Sequence, residues 1–307
     1  MQSTDTVLMI EPIAFGFNEQ TADNNFFQVK SEFSDTQEKA LEEFNNYVAK
    51  LRNKGIDVIV VKDTLQPPTP DSIFPNNWVS FGADGKVVMY PMFAPNRRDE
   101  RRTEIIDEVK KSGFEVKEIV DLSKNENEGV FLEGTGSIIF DHDYKIAYGS
   151  VSARLNESLF KEFCSSIGYK AFVFHSYQNA GAERLPIYHT NVMMALADQY
   201  VVICLDAVDD LVERELLTTS FGQTNKEIIE ITENQMHHFA GNMLQVRNKS
   251  GEKFLVMSES AFSSLTDDQI SKIESYNEII FSDLSTIETN GGGSARCMLA
   301  EVFLPKK

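Results

Sequence analysis

"NNWVSFGADGKVVMYPMFAPNRRDER", residues 76–101, decides how this chain folds. An apolar run around Trp78 to Phe81 meets the polar turn "GADG", a second apolar run follows, and a charged stretch begins at Asn96. Short apolar runs joined by a turn bearing glycine and aspartate are hairpin signals. The pattern returns in "GTGSIIFDHDYKIAYGSVSARLNESLFKEF" from Gly134, "TNVMMALADQYVVICLDAVDDLVEREL" from Thr190 and "GNMLQVRNKSGEKFLVMSESAFSSLTDDQISKI" from Gly241. Each copy carries strand, polar turn, strand and then helix spacing; "NESLFKEF" and "TDDQISKI" open on polar cap residues. A third apolar run closes the unit, as in Glu115 to Val120, Tyr169 to Phe174 and Glu227 to Ile231.

The starts recur at roughly 50–60 residues, the period of propeller-like or stacked repeats. "GSARCMLAEVFLP" from Gly293 begins a fifth copy, which the N-terminal strand around Thr6 to Ile10 completes. The expected fold is therefore α/β, with five strand-strand-helix-strand units about a pseudo-axis. A ring joined through its own termini leaves no exposed sheet edge. The alternative is a set of consecutive hairpins in an open sheet.

The composition limits the function classes. Of 307 residues, 42% are hydrophobic and 25% charged, and the net charge is -18. That is globular composition, with an acidic surface that repels phosphate backbones and anionic lipid, so neither nucleic acid nor membrane is expected as a partner. No run approaches the ~18–20 apolar residues of a membrane span. The N-terminus shows no export signal, so the expected location is cytoplasmic. The three cysteines, Cys164, Cys204 and Cys297, are then free thiols. No metal-ligand spacing, dinucleotide fingerprint or phosphate loop is present, and neither metal nor cofactor is expected.

An unusual polar group recurs at one phase of the repeat, just before or on entering each first strand. The positions are Asn76 and Asn77, Glu133, His189 and Asn191, Asn242, and Cys297. Equivalent phases of a ring converge on its axis. A thiol, an imidazole and a carboxylate brought together are the parts of covalent catalysis: nucleophile, proton carrier and the group that orients the carrier. Singly, each has a plain structural explanation, as a core thiol, a hydrogen-bonded core histidine or a loop carboxylate. Their common phase favours function. Cys164 and Cys204, in a helical stretch and a buried strand, read as structural.

These motifs also carry a family resemblance. "GGGSARCM" is similar to the cysteine motif of arginine deiminases, and "TPDSIFPNNW", "APNRR" and "GSVSARLN" are similar to segments of dimethylarginine dimethylaminohydrolase. Together with "FGFNEQTADNN", "LEGTGS", "IYHTNVMM" and "FAGNML", they make the whole chain resemble the arginine-deiminase-related, citrulline-utilisation hydrolase branch of the guanidino-group modifying superfamily. The resemblance implies a five-bladed α/β propeller, the pentein fold, spanning 1–307 as one catalytic domain. It implies Cys297 as nucleophile, His189 as general acid/base and Glu133 as its partner acid. It places Asp71 on a substrate α-amino group, and Arg98 or its neighbour Arg97, with Arg154, on the carboxylate. Such a substrate is a small α-amino acid; the sequence is compatible with a homo-oligomer but does not set the oligomeric state.

Relatives acting on a guanidinium carry aspartate where Asn77 stands, and deiminases with an H-x-D motif carry another where Asn191 stands. A buried cation stripped of one carboxylate partner is destabilised by about 3–5 kcal/mol. An amide offers one donor and one acceptor face, which suits a neutral ureido group. The expected substrate is accordingly citrulline, giving ornithine, ammonia and carbon dioxide. The rivals are an arginine deiminase or dihydrolase, an amidinotransferase, and a non-catalytic pentein that only binds. "FGFNEQTADNN" is a candidate cover for the site, with Phe15, Phe17, Phe26 and Phe27 excluding water and Asn18 or Asp23 near substrate; core packing explains the phenylalanines equally well, so no role is assigned there.

Overall fold

The computed structural model describes residues 1–22, 25–30 and 35–307. Within them, five three-stranded sheets repeat one pattern: the first strand pairs antiparallel with the second, and the second parallel with the third. The first such sheet comprises Val79–Phe81, Lys86–Met89 and Glu118–Asp121. Ile138–Asp141, Ile146–Ser150 and Lys170–Phe174 form the second. Met194–Leu196, Tyr200–Ile203 and Glu227–Glu230 form the third, and Leu244–Arg247, Lys253–Ser258 and Glu278–Ser282 the fourth.

The fifth sheet joins the two ends of the chain. Ala300–Glu301 pairs antiparallel with Thr6–Glu11, and Thr6–Glu11 pairs parallel with Asp57–Lys62. A bridge from Phe81 to Val302 ties this unit to the first. The expected terminal strand is shorter than its apolar run, because the chain leaves Val7 and Leu8 after two residues and crosses to Phe81. A hairpin of Tyr177–Ala180 with Glu183–Pro186 adds a two-stranded sheet outside the repeat.

Parallel pairing of second and third strands requires a crossover, and the helices supply it. Three of them start at side-chain caps: Asn156 accepts from Leu159 N at 3.0 Å, Asp210 accepts from Val212 N at 2.7 Å, and Thr266 forms a capping box with Gln269. Their apolar faces cover the sheets; Phe160 and Phe221 are fully buried. Trp78, 1% exposed, anchors the segment that carries Asn77, and its truncation to alanine would cost about 3–5 kcal/mol. No helix among the described residues is long and apolar enough to cross a membrane.

Candidate active site

The polar groups that share a phase in the sequence meet in space. Each precedes the first strand of a sheet, on short turns such as Pro75–Asn77, Gly134–Ser137 and Thr190–Val192. His189 Nε2 lies 2.7 Å from Glu133 Oε2, both residues essentially buried. Glu133 Oε1 accepts Phe93 N–H at 2.9 Å, and Arg154 Nη1 lies 3.4 Å from Oε2. Burial opposes the charge on Glu133, but Arg154, His189 and Arg97 more than offset it and hold the carboxyl well below the usual range. Burial lowers His189 to about 4 despite that carboxylate. The imidazole is therefore neutral at pH 7, with Nε2–H donating to Glu133 and the Nδ1 lone pair left as acceptor.

Cys297 is 5% exposed, and two amide groups address its sulfur. Asn242 Nδ2 donates at 3.2 Å and Asn191 Nδ2 at 3.4 Å. Asn242 is fixed in turn by Arg296 N–H, which donates to its Oδ1 at 3.0 Å, so its NH2 end is the one facing sulfur. The sequence placed Asn242 at the common phase without a role; only the fold shows which way its amide points. Cys164 and Cys204 are different: burial pushes their thiols up to about 12 and about 11.

A small cavity of about 10 Å³ is lined by His189 and Cys297 together with Asp71, Asn77, Arg97, Arg154, Tyr188 and Gly291–293. Five polar atoms in this region lack a hydrogen-bond partner among the described residues: Asp71 Oδ1, Asn76 Nδ2 and Oδ1, Asn77 Nδ2 and Asn191 Oδ1. Buried polar atoms are almost always partnered, so unpartnered ones beside a nucleophile are features a ligand would explain. Asp71 Oδ2, by contrast, accepts from Asn18 Nδ2 at 2.7 Å and Thr21 Oγ1 at 3.2 Å. Burial raises the Asp71 carboxyl.

Of the two neighbouring arginines, the fold turns Arg97 inward. Arg97 is 2% exposed, binds Glu100 bidentately at 2.8 and 2.9 Å, and reaches Asn77 Oδ1 at 2.7 Å. Arg98, expected on the substrate carboxylate, points away and is held by Met92 O at 3.1 Å and Glu126 at 3.4 Å. The reason is local: the 3-10 turn Pro95–Glu100 sends successive side chains in different directions, and only Arg97 finds Glu100 and Asn77. Asn18 and Thr21 bring the N-terminal loop onto Asp71; Asp23 and Asn24 lie outside the described residues.

Two glycines shape the cavity. A Cβ on Gly136 would stand 2.3 Å from Asn77 Nδ2 and 2.9 Å from His189 Nδ1. Gly292, at φ 62°, ends the helix Ser285–Gly291 in the left-handed region that favours glycine, and its carbonyl accepts Tyr188 OH at 2.8 Å.

The repeat and a matching family profile place this chain among the penteins of the guanidino-group modifying superfamily. The chain belongs to the N,N-dimethylarginine dimethylhydrolase family, eukaryotic type, whose profile matches residues 11–304. Similar folds include ArgZ, an arginine dihydrolase from the ornithine-ammonia cycle in cyanobacteria, at 17% identity and TM-score 0.72, covering 98% of this chain and 41% of that one. The N-terminal domain of ArgZ bound to substrate matches at 16% identity and TM-score 0.72, covering 97% and 99% of the two chains. An adduct of dimethylarginine dimethylaminohydrolase with S-methyl-L-thiocitrulline matches at 19% identity and TM-score 0.64, covering 98% and 100%. This chain thus spans less than half of full-length ArgZ. None of the curated proteins compared matches it.

Proposed function

We propose that this chain is a cysteine-dependent hydrolase of arginine's terminal guanidino group, acting as a dihydrolase: arginine to citrulline and ammonia, then citrulline to ornithine, ammonia and carbon dioxide. The repeated sheets are, in this reading, the five blades of one catalytic ring. The supporting observation is the buried cavity in which Cys297 Sγ meets two amide donors beside the His189–Glu133 pair, with Asp71 Oδ1, Asn77 Nδ2 and Asn191 Oδ1 unpartnered. Kinship with the dihydrolase fold moves arginine ahead of citrulline as the first substrate.

Cys297 gives its thiol proton to His189 Nδ1 as its sulfur adds to the guanidino carbon, and His189 passes that proton to the departing ammonia. His189 Nδ1 then takes a proton from water, which adds to the same carbon and displaces sulfur, leaving the ureido product. A second round on that ureido carbon releases the second ammonia; hydrolysis gives a carbamate that breaks into ornithine and carbon dioxide. Asn191 Oδ1 accepts a substrate N–H, and Asn77 Nδ2 donates to the ureido oxygen formed after the first round. Asp71 takes the α-ammonium and Arg154 the carboxylate.

A citrulline-only hydrolase is the second reading. It is favoured by the Asn77 amide, whose free end is a donor and therefore a poor partner for a guanidinium. Arginine, citrulline and N,N-dimethylarginine supplied separately, with ornithine, citrulline, ammonia and dimethylamine quantified, test both. Ornithine from arginine is expected. Ornithine from citrulline alone selects the second reading, dimethylamine release points to the methylated substrate, and no turnover of any of the three removes the enzyme assignment.

A further inference from the structure

The helix Ser285–Gly291 runs into the three-glycine turn that walls the cavity, and then to Cys297. Glu43, on the helix Thr36–Asn53, caps its start, accepting Thr286 N–H at 2.8 Å and Ile287 N–H at 3.0 Å. One turn later stands Glu288, 6% exposed. The charged groups acting on it are both carboxylates, Glu43 from the long helix and Asp283 from the turn before its own. His237 shares with it the lining of an outer groove. A buried carboxyl without a cation is expensive and persists only where other groups hold it. Ser294 Oγ does so here, donating to Glu288 Oε1 at 2.5 Å, with the Ser258 hydroxyl nearby. Burial, with the two like charges, lifts it to about 7 against the pull of these hydroxyls.

The contacts continue to the nucleophile. Gly292 N–H donates to the Glu288 carbonyl at 2.9 Å, and Cys297 N–H donates to the Ser294 carbonyl at 2.9 Å. Glu288 thus holds this segment at two points, through its carbonyl to Gly292 N–H and through its carboxyl to Ser294, whose own carbonyl accepts Cys297 N–H. We propose that Glu288 is a positioning residue for Cys297, holding the Gly291–Gly293 turn in place when ionised and releasing it when protonated. On protonation one carboxyl oxygen becomes a donor, the Ser294 hydroxyl loses its charged acceptor, and the turn slackens. Activity then falls on the acid side of neutrality. Only the kinetic arm of the test rests on the proposed hydrolase activity.

The test compares wild type, Glu288→Gln and Asp283→Asn. Two profiles are recorded against pH: kcat/KM, and the rate of iodoacetamide alkylation of Cys297 read by mass spectrometry. Glutamine keeps the size but does not titrate. Its variant should lose the inflection near pH 7 from both profiles, with kcat at pH 8 down about tenfold or more. Its thermal midpoint should nevertheless exceed that of wild type at pH 8. A carboxyl raised in the folded state stabilises fully below its unfolded value and loses that contribution as pH rises toward about 7, a loss glutamine escapes.

Asp283→Asn retains the hydrogen bond that Ser285 N–H makes to position 283 (3.0 Å in wild type) and removes one like charge. It should shift the inflection to lower pH with the plateau unchanged. An inflection unmoved in Glu288→Gln overturns the proposal and belongs to another group, such as Glu100, which burial also lifts to about 7. A lowered midpoint with unchanged kcat per folded molecule overturns it as well. Should Glu288→Gln fail to fold, an unmoved inflection in Asp283→Asn does the same. If wild type turns over no substrate, the alkylation profiles still decide the role of Glu288.

Discussion

Arg97 Nη1 donates to Asn77 Oδ1 at 2.7 Å, and that bond decides which end of the Asn77 amide faces the cavity. The guanidinium cannot yield, because Glu100 takes two of its N–H groups and the Phe74 carbonyl another at 3.2 Å. Reversing the amide would set its NH2 against the guanidinium, donor on donor. Asn77 therefore keeps Nδ2 as its unpartnered end in the wall of the cavity, and Arg97 is a strut for that amide instead of an open fork for a carboxylate.

Asn77→Asp keeps the pair with Arg97 through one oxygen and brings a second acceptor to where Nδ2 stands. A guanidinium gains a charge-assisted bond there, whereas a ureido oxygen loses a donor and meets a like dipole. Arginine fed to this variant should stop at citrulline, with citrulline turnover reduced at least about tenfold. Product ratios by amino-acid analysis check this. Ornithine remaining the main product would show that Asn77 does not govern the second round.

Cys297→Ser and His189→Ala should each reduce turnover by about 10³-fold or more, with little change in thermal midpoint. A haloacetamidine electrophile should label Cys297 alone, since burial keeps Cys164 and Cys204 in the unreactive thiol form. Label on either of those two, with Cys297→Ser still active, removes the nucleophile assignment.

Asp71→Asn leaves the contacts with Asn18 and Thr21 within reach but removes the charge offered to an α-ammonium through Oδ1. A lost charged hydrogen bond of about 1.5–3 kcal/mol predicts roughly a 10–150-fold fall in kcat/KM, mostly in KM. An arginine analogue lacking the α-amino group should lose little between the two proteins. Equal losses for both substrates would place the effect elsewhere.

His189 sets an acid dependence of stability. Its folded-state value, about 4, lies below the ordinary 6.5, so the unfolded chain binds a proton that the folded chain refuses. Stability should fall as pH drops from 6.5 toward 4, by on the order of 2–3 kcal/mol from this group. Thermal midpoints across that range should decline less in His189→Asn than in wild type. Parallel declines would mean that the imidazole is protonated in the folded protein.

The repeat was legible because each unit carries its own local chemistry: a polar turn such as "GADG", cap residues such as Asn156 and Thr266, and apolar runs of strand length. The phase shared by Glu133, His189 and Cys297 made their convergence readable too, since equivalent positions of a repeat occupy equivalent places. Orientation was not legible. Whether Arg97 or Arg98 turns inward depends on Glu100 and Asn77, partners that spacing alone does not select. The amide of Asn242 points to sulfur because Arg296 N–H holds its other end, a contact across 54 residues. The hairpin Tyr177–Ala180 with Glu183–Pro186 carries no apolar alternation and gave no sign. Glu288 looked like one acid among many until burial set it apart.

Gly136→Ala tests the packing of the site with one methyl group. The added carbon would stand 2.3 Å from Asn77 Nδ2, 2.9 Å from His189 Nδ1 and 3.0 Å from His189 Cε1. Separations under about 3 Å force movement, and the neighbours are poorly placed to give way: Arg97 holds the Asn77 oxygen, and Glu133 holds His189 Nε2. Overpacking of this kind destabilises by about 1–3 kcal/mol, enough to lower the thermal midpoint while leaving the protein folded. The chemical loss should be larger than that. A displacement of His189 by a few tenths of an ångström lengthens its path to the leaving ammonia and to water, and displaced Asn77 no longer meets the ureido oxygen. We expect kcat to fall about a hundredfold, with KM changed much less, because in the proposed function Asp71 and Arg154, which the methyl group does not touch, hold the far end of the substrate. Gly136→Ala turning over substrate at the wild-type rate would show that neither Asn77 Nδ2 nor His189 Nδ1 takes part in the chemistry from the positions found here.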